Sequence, residues 1–404
     1  MKVLQISIEV NSGSVGRIAE QIGEKILENG GESYITFARN NLPSKSEVIR
    51  IGSKADVYYH VLNTRIFDNH CFESKKATKD LIAKIEKINP DIIHLHHLHG
   101  YFINIEILFD YLQKANKPVV WTFHDCWSFT GHCAHFEYVG CEKWRTQCYA
   151  CPQKKEYPKS LLIDRSKKNY IQKKEIFNKL KNMHIVTPSQ WLANLTKQSF
   201  LSNYPISVIN NGIDIGKFNI KSNGKEIRNK FKIGEKSIIL GVASTWDRKK
   251  GLHFFEELNE KINPDEVIVL VGLSSEQIKN LPKSIVGIQR TESIDDLASL
   301  YSAAFVFVNP TLEDTYPTTN LESIACGTPV ITFRTGGSTE SVNTKTGFVV
   351  EQNSLYETLN CFKIIKKNGK NFYQENCRNW AVNNFNKTDR FHDYISLYKK
   401  LLLY

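Results

Sequence analysis

Three groups of residues in this sequence have types and spacings that suit chemistry. Asp314 and Glu322 stand eight positions apart, with Glu313 beside the first, on either side of Pro317, Thr318 and Thr319. Proline suits the first helical position and threonine can cap free N–H groups, so one carboxylate precedes a helix and the other lies in its first turns. Both then face one small volume. Acceptors so placed suit a hydroxyl-rich ligand, and the partly positive helix start suits a diphosphate. Arg248, Lys249 and Lys250 stand in a turn after the apolar run from Ser237, placed to hold an anion or to be solvated. Cys133, Cys141, Cys148 and Cys151 are spaced x7, x6 and x2, and the final C-x-x-C is a half-site for structural zinc. Reduced core thiols and disulfides are the other readings, with Cys126, His132 and His135 as alternative ligands.

The elements that must carry these residues are legible as apolar runs and turn signals. Phe305 to Val308 reads as a buried strand ended by Asn309-Pro310; the helix after Pro317 stops at Cys326-Gly327, and Val330 to Phe333 is the next strand. A strand–loop–helix of this kind in a parallel sheet aims the helix start at the crevice beyond the strand ends. Lys2 to Ile8 is a first strand, followed by a helix with Val15, Ile18, Ala19, Ile22 and Ile26 on one stripe. Gly13 and Gly16, in the turn between them, let backbone approach a ligand closely. Neither dinucleotide nor P-loop glycine spacing is met. Ser33 to Ala38 is a second strand.

Two further stretches carry histidine, one of them four. His94, His96, His97 and His99 suggest a metal, but the H-x-H-x-D-H pattern needs an aspartate where Leu98 stands; as strand-end residues at an active cleft they need none. Lys117 to Trp127 is a buried strand with His124 at its polar tip and Asp125 positioned to orient an imidazole or fix the loop.

At 404 residues, with 41% hydrophobic and 24% charged, the chain suits two globular domains of similar size. Met1 to Ile8 has no signal-peptide architecture and no run reaches membrane-spanning length, so a cytoplasmic enzyme with reduced thiols is expected. The net charge of +11 is concentrated between Lys143 and Lys181. That run reads as a solvated helix face, or as attraction to an anionic inner membrane leaflet at about 1 kcal/mol per basic residue.

The spacing of Asp314 and Glu322, followed by a small-residue helix and G-T-P-V-I, resembles the E-x7-E signature of glycosyltransferase family 4, the retaining GT-B enzymes. Aspartate replaces the first glutamate here, so Glu313 rivals Asp314 for that role. The stretch from Glu313 to Glu322 is similar to the subset found in capsule, O-antigen and colanic-acid gene clusters. Other matches run in order: the Gly13–Gly16 loop, which in the family faces donor phosphates and acceptor; His124, beside the donor sugar; Ile206 to Asp214, the interdomain segment; Lys250-Gly251, whose lysine holds the donor diphosphate; and Gly336 to Glu340. Thr245 stands where the family often has arginine, leaving Arg248 or Lys249 to supply the second charge.

The resemblance implies an α/β GT-B fold, two Rossmann-like domains facing across a cleft: residues 1–204 with a Cys-rich insertion at 126–151, residues 205–384, and a segment 385–404 returning to the first domain with Phe391, Tyr394, Tyr398 and Leu401 as its apolar stripe. It implies transfer, with retention, of a sugar from a UDP or GDP donor to a hydroxyl of a glycan or lipid-linked saccharide, as in bacterial surface polysaccharide synthesis. His124, Lys250, Asp314 and Glu322 would be catalytic. Gly13, Gly16, Arg248, Lys249, Arg290, Glu313, Thr318, Thr319 and Asn320 would bind donor, with His96 and His99 on the acceptor side. No D-x-D motif offers to hold a metal, so no cofactor is expected beyond structural zinc. A sugar-nucleotide epimerase or hydrolase on the same fold is the enzymatic alternative. A basic, cysteine-rich nucleic-acid binder is the non-enzymatic one; acids inside the proposed cleft disfavour it, and no nucleic-acid partner is expected.

Overall fold

Short apolar runs, buried on both faces, build two sheets that are parallel throughout, the pattern expected when helices cover both sides. The structure is a computed structural model that describes residues 1–403; Tyr404, the last residue of the expected segment 385–404, lies outside them. The first sheet comprises β1 (Lys2–Ile6), β2 (Glu32–Phe37), β3 (Glu47–Arg50), β4 (Ile92–Leu95), β5 (Val119–Thr122), β6 (Met183–Thr187) and β7 (Ile206–Val208), in the order β3-β2-β1-β4-β5-β6-β7. The second comprises β8 (Ser237–Val242), β9 (Glu266–Val271), β10 (Val286–Ile288), β11 (Val306–Asn309), β12 (Val330–Phe333) and β13 (Gly347–Val350), in the order β10-β9-β8-β11-β12-β13. Each order reverses once, between β1 and β4 in the first sheet and between β8 and β11 in the second. Ligands of such sheets sit beyond the carboxyl ends of the strands at these reversals.

The chain divides into two compact units, Met1–Asn210 with the segment from Arg390 onward, and Asn211–Asp389. The divisions fall later than residues 204 and 384 for reasons visible in the pairing. β7 pairs with β6 and keeps residues 206–208 in the first unit. The bridge between Ile213 and Asn386, with Ile213 N–H donating to the Phe385 carbonyl at 2.8 Å, ties the segment after 384 to the second.

The last helix, Lys387–Leu401, belongs mainly to the first unit and packs on β1, β4 and β5 beside the helix Gly13–Glu28. Phe391, Tyr394, Ile395 and Tyr398 are each 3% exposed or less, and burying each contributes about 2 kcal/mol. Two of the four also carry hydroxyls to buried partners: Tyr394 lies 3.2 Å from Thr122 Oγ1, and Tyr398 lies 2.6 Å from His94 Nδ1.

Between β5 and the helix Ser166–Phe177 the chain has only two 3-10 turns, Trp127–Phe129 and Lys143–Arg145. The sequence shows few hydrophobic residues beside the cysteines there, yet the segment folds around aromatic rings. Trp127, Phe129, Phe136 and Trp144 are buried, and the Phe136 and Trp144 rings stack at 4.9 Å. Lys173, counted in the solvated basic run, is also fully buried. Its Nζ donates to the Trp127 and Thr130 carbonyls at 2.6 and 3.0 Å and lies 3.3 Å from the Trp127 ring centroid. Among the described residues no helix is long and apolar enough to cross a membrane.

Candidate functional site

In the second unit the basic turn after β8 and the acidic loop after β11 flank the reversal of strand order and are stitched together. Leu312 N–H donates to the Lys249 carbonyl at 2.7 Å. Gly251 sits at φ +79 with a would-be Cβ only 2.3 Å from the Pro310 carbonyl, so no side chain fits after Lys250 without parting the two loops. Asp247 fixes the turn by accepting from the Lys250 N–H at 2.8 Å.

This framework sets two lysines against two acids. Lys250 Nζ is 2.7 Å from Asp314 Oδ2 and Lys249 Nζ is 2.6 Å from Glu313 Oε1. Burial alone would lower the Lys250 pKa, but the Asp314 carboxylate outweighs it and holds the ammonium above its ordinary value. The two acids differ. Asp314 is spent on both oxygens, the second accepting from the Tyr316 N–H at 3.2 Å. Glu313 is buried, and its Oε2 has no hydrogen-bond partner. A buried carboxylate oxygen left so is costly, and a ligand hydroxyl would relieve it.

The helix Thr318–Ala325 begins after Pro317 with no side chain capping it, so the first N–H groups are not spent on a side chain. Thr318 and Thr319 stand at that start, and Glu322, one turn on, accepts from the Tyr301 hydroxyl at 3.1 Å. Asn320, expected to touch donor, points instead into the unit. It is fully buried, bonded to Asn309 at 2.8 Å and to Ser341 at 2.9 Å, and locks the helix to the ends of β11 and of the Gly336–Ser341 turn. Arg248 and Arg290 are exposed in the loops after β8 and β10.

In the first unit the reversal lies between β1 and β4, and the histidines collect beyond β4 and β5. Gln5 Nε2 donates to the Ala19 carbonyl at 2.8 Å, which leaves its oxygen to accept from His96 Nε2 at 3.0 Å. His96 Nδ1 must then accept, so His124 Nε2, 3.2 Å away, carries the proton and the His124 Nδ1 lone pair is an acceptor. Burial pushes His124 down to about 3, so the ring is neutral at ordinary pH. Both His96 nitrogens are engaged and the ring is buried; it positions His124 and does not itself present a face to ligand.

Asp125 bonds His99 Nε2 at 2.7 Å and accepts from the Trp127 N–H at 2.9 Å; His97 Nε2 lies 3.3 Å off without hydrogen-bond geometry. Burial would raise its pKa, but His99 and then His97 hold it well below the usual carboxylate range. His97, His99 and Asp125 bring three ligand atoms within 4.8 Å of one another. His99 is buried, with Tyr157 Oη 3.1 Å from its other nitrogen, so its bonds are already met inside the protein. Gly16 serves its own loop: a Cβ there would come 3.1 Å from the Glu9 carbonyl, and its carbonyl accepts from the Asn11 N–H. Gly13, at φ +61, is exposed at the helix start.

The sequence reading missed Gln5 and Tyr301, each a polar residue inside an apolar pattern, and that misfit was the available signal; it also missed Lys173, which a lysine-rich helix does not mark. The four cysteines, by contrast, come together. Cys133, Cys141, Cys148 and Cys151 line one small cavity of about 10 Å³.

Known proteins share both sequence and architecture with this chain. Residues 15–217 match the family described as Glycosyltransferase Family 4, and residues 236–361 match Glycosyl transferases group 1. The chain is 28% identical over 232 residues to a putative colanic acid biosynthesis glycosyl transferase, WcaC, of Escherichia coli K12, covering 53% of this chain and 55% of the relative. It is 28% identical over 220 residues to an Escherichia coli UDP-Gal:alpha-D-GlcNAc-diphosphoundecaprenol alpha-1,3-galactosyltransferase, covering 50% and 56%. The matched stretch thus spans about half the length of these relatives. Among solved structures, sucrose-phosphate synthase from Thermosynechococcus elongatus superposes with a TM-score of 0.72 at 17% identity, covering 99% of each chain. Anabaena Alr3699/HepE in complex with UDP and glucose gives 0.69 at 15%, covering 98% and 99%. These likenesses establish the fold, two Rossmann-like α/β domains of the GT-B class. With half of its length matched by the family and its two parallel sheets of the same class, the chain belongs to glycosyltransferase family 4.

Proposed function

We propose that this protein is a retaining glycosyltransferase that moves a sugar from a nucleoside-diphosphate donor to a hydroxyl of a glycan or lipid-linked saccharide. The observation that carries the reading is the pairing of Lys249 and Lys250 with Glu313 and Asp314 beside a helix start without a side-chain cap, at the strand-order reversal of the second unit. A diphosphate leaving group takes over the lysines and the helix N–H groups, which stabilise its developing charge. Glu313 Oε2 accepts from a donor-sugar hydroxyl, Glu322 holds the ribose, and Arg290 stands in the loop that cradles the base. In the first unit, His124 is assigned to the sugar and His96 and His99 to the acceptor side, as the family resemblance implies. The UDP complex of HepE and the lipid-linked acceptor named for the galactosyltransferase support a uridine donor and a membrane-borne acceptor, and the likeness to WcaC supports a place in surface polysaccharide synthesis.

A thermal-shift screen against UDP, GDP and dTDP sugars tests this. A matched donor at a hundred times its Kd stabilises the fold by about 2.7 kcal/mol, and Lys250→Ala should abolish the shift. Stabilisation by none of them would sink the reading, and donor turnover without any acceptor would favour the epimerase or hydrolase.

The same reading places the enzyme peripherally on an anionic membrane. Leu161, Leu162 and Ile163 are 50%, 68% and 44% exposed, flanked by exposed Lys155, Lys159, Lys167 and Lys168. Apolar tips rimmed by lysine suit the headgroup boundary. Wild type should float with anionic vesicles and a Leu161→Ser/Leu162→Ser variant should not; equal flotation of the two would rule this surface out.

A further inference from the structure

The segment between β5 and the helix Ser166–Phe177 gathers soft metal ligands around one buried point. Cys133, Cys148 and Cys151 line the small cavity, and Cys133 and Cys151 are hydrogen-bonded to each other. Cys148 Sγ accepts from the Gly131 N–H at 3.3 Å, the kind of contact that stabilises a thiolate. A histidine shares the lining with them. His132 is 2% exposed; its Nδ1 lies 2.7 Å from Asp68 Oδ1, and its Nε2 is buried with no hydrogen-bond partner.

An imidazole held by a carboxylate through one nitrogen, with the other bare among thiols, is the arrangement in which histidine ligates a metal. Asp68 is itself fixed. It is fully buried, and its second oxygen accepts from the Arg165 N–H at 2.8 Å. The free Nε2 is therefore aimed by the fold, and a buried nitrogen without a partner is unfavourable unless something binds it.

We propose that this point holds one structural zinc ion, ligated by the thiolates of Cys133, Cys148 and Cys151 and by His132 Nε2, with Asp68 orienting the imidazole. Thiolate and imidazole together select zinc over oxygen-seeking cations, and four protein ligands leave no position open for catalysis. Cys141 lines the same cavity but is more exposed, and it stays outside the set. Among the described residues the only three ligand atoms within 4.8 Å of one another belong to His97, His99 and Asp125. The sulfurs must therefore draw inward by side-chain rotation as the ion binds, and the three thiols release their protons to solvent. The ion ties the turn after Phe129 to the C-x-x-C turn, across a stretch with no strand of its own. This inference is independent of the donor site and of the reaction proposed for it.

Metal analysis of the full chain, grown with zinc and purified without a metal resin, should return about one zinc per chain. A Cys148→Ser/Cys151→Ser variant and His132→Ala should each retain less than about a tenth of that, and Cys141→Ser should retain it all. Because those variants can fail to fold, the wild-type apoprotein is also titrated with cobalt. Intense thiolate-to-cobalt charge-transfer bands with the visible bands of four-coordination are the expected result. Trace zinc together with a cobalt spectrum lacking charge-transfer bands would overturn the site. Zinc lost in Cys141→Ser but kept in His132→Ala would overturn the assignment of His132 as the fourth ligand.

Discussion

Lys250 Nζ lies 2.7 Å from Asp314 Oδ2, and the residues just before them repeat the pairing, Lys249 to Glu313 at 2.6 Å. Two cations and two anions from separate loops thus neutralise one another where the donor diphosphate is proposed to bind. A diphosphate entering here exchanges a carboxylate partner for a phosphate one, so the lysines are oriented before the ligand arrives.

Removing that charge should be felt mainly in the transition state. Lys250→Ala and Glu322→Ala should each lower turnover by about two orders of magnitude or more. Steady-state kinetics on purified variants check this, and rates within a fewfold of wild type would refute the assignment. With lysines and helix N–H groups holding the diphosphate, transfer should continue at full rate in magnesium-free buffer with brief EDTA treatment. A strict magnesium requirement would contradict that mechanism.

The two neighbouring acids should separate by function. Glu313→Gln removes an acceptor whose Oε2 awaits a partner and should lower kcat/KM by about ten- to a hundredfold, the worth of one hydrogen bond to a charged group. Asp314→Asn releases Lys250 without removing a contact to sugar and should cost less than about tenfold. The opposite ranking would hand the sugar-binding role to Asp314.

Acid should weaken the first unit well before carboxylates titrate. His94 is fully buried, 2.7 Å from Thr122 Oγ1 and 2.6 Å from the Tyr398 hydroxyl, and burial pushes it down to about 3. The unfolded chain takes up that proton near pH 6.5 and the folded chain only near 3, so its stability is complete above 6.5 and is lost as pH falls between the two. The slope is about 1.4 kcal/mol per pH unit for each such histidine. Denaturant melts from pH 7 to 4 should show it, and His94→Gln should flatten it; an unchanged slope would show that the proton goes elsewhere.

Lys173 should behave as a structural residue despite its charge. Burial pushes it down to about 7, and its Nζ satisfies two carbonyls that nothing else serves so closely. Lys173→Met keeps the volume but strands the Thr130 carbonyl and leaves the Trp127 carbonyl only its longer bond from the Thr130 N–H at 3.3 Å, and should cost about 1–3 kcal/mol. Urea titration reads this directly, and a loss under 1 kcal/mol would mean that water replaces the ammonium, which is about the least a stranded carbonyl should cost.

The fold was legible in the sequence where the pattern was strong: apolar runs such as Val306–Asn309 and Val330–Phe333, proline before Thr318, glycine after Cys326. Lys250-Gly251 and the acids around Asp314 announced themselves by type and spacing. What stayed hidden depends on distant partners. Nothing near Asn320 says that Asn309 and Ser341 will claim its amide, and nothing in a lysine-rich helix marks Lys173 as the one turned inward under Trp127. The aromatic core of the cysteine-rich segment was overlooked because Trp127, Phe129, Phe136 and Trp144 are scattered without period, so only folding brings the rings together.

The helix Lys387–Leu401 lies on β1, β4 and β5 although almost two hundred residues of another unit intervene. A ribosome making this chain releases the first sheet long before the piece that seals its apolar face. Until then the cluster of Val3, Ile92 and Val120 has only Ile18, Ile22 and Ile26 of the first helix on that side, Thr122 and His94 lack their tyrosine partners, and the earlier unit waits on the later one to finish. Assembly therefore closes on the earlier sheet, and loss of the helix Lys387–Leu401 should damage the unit whose strands precede it by most of the sequence.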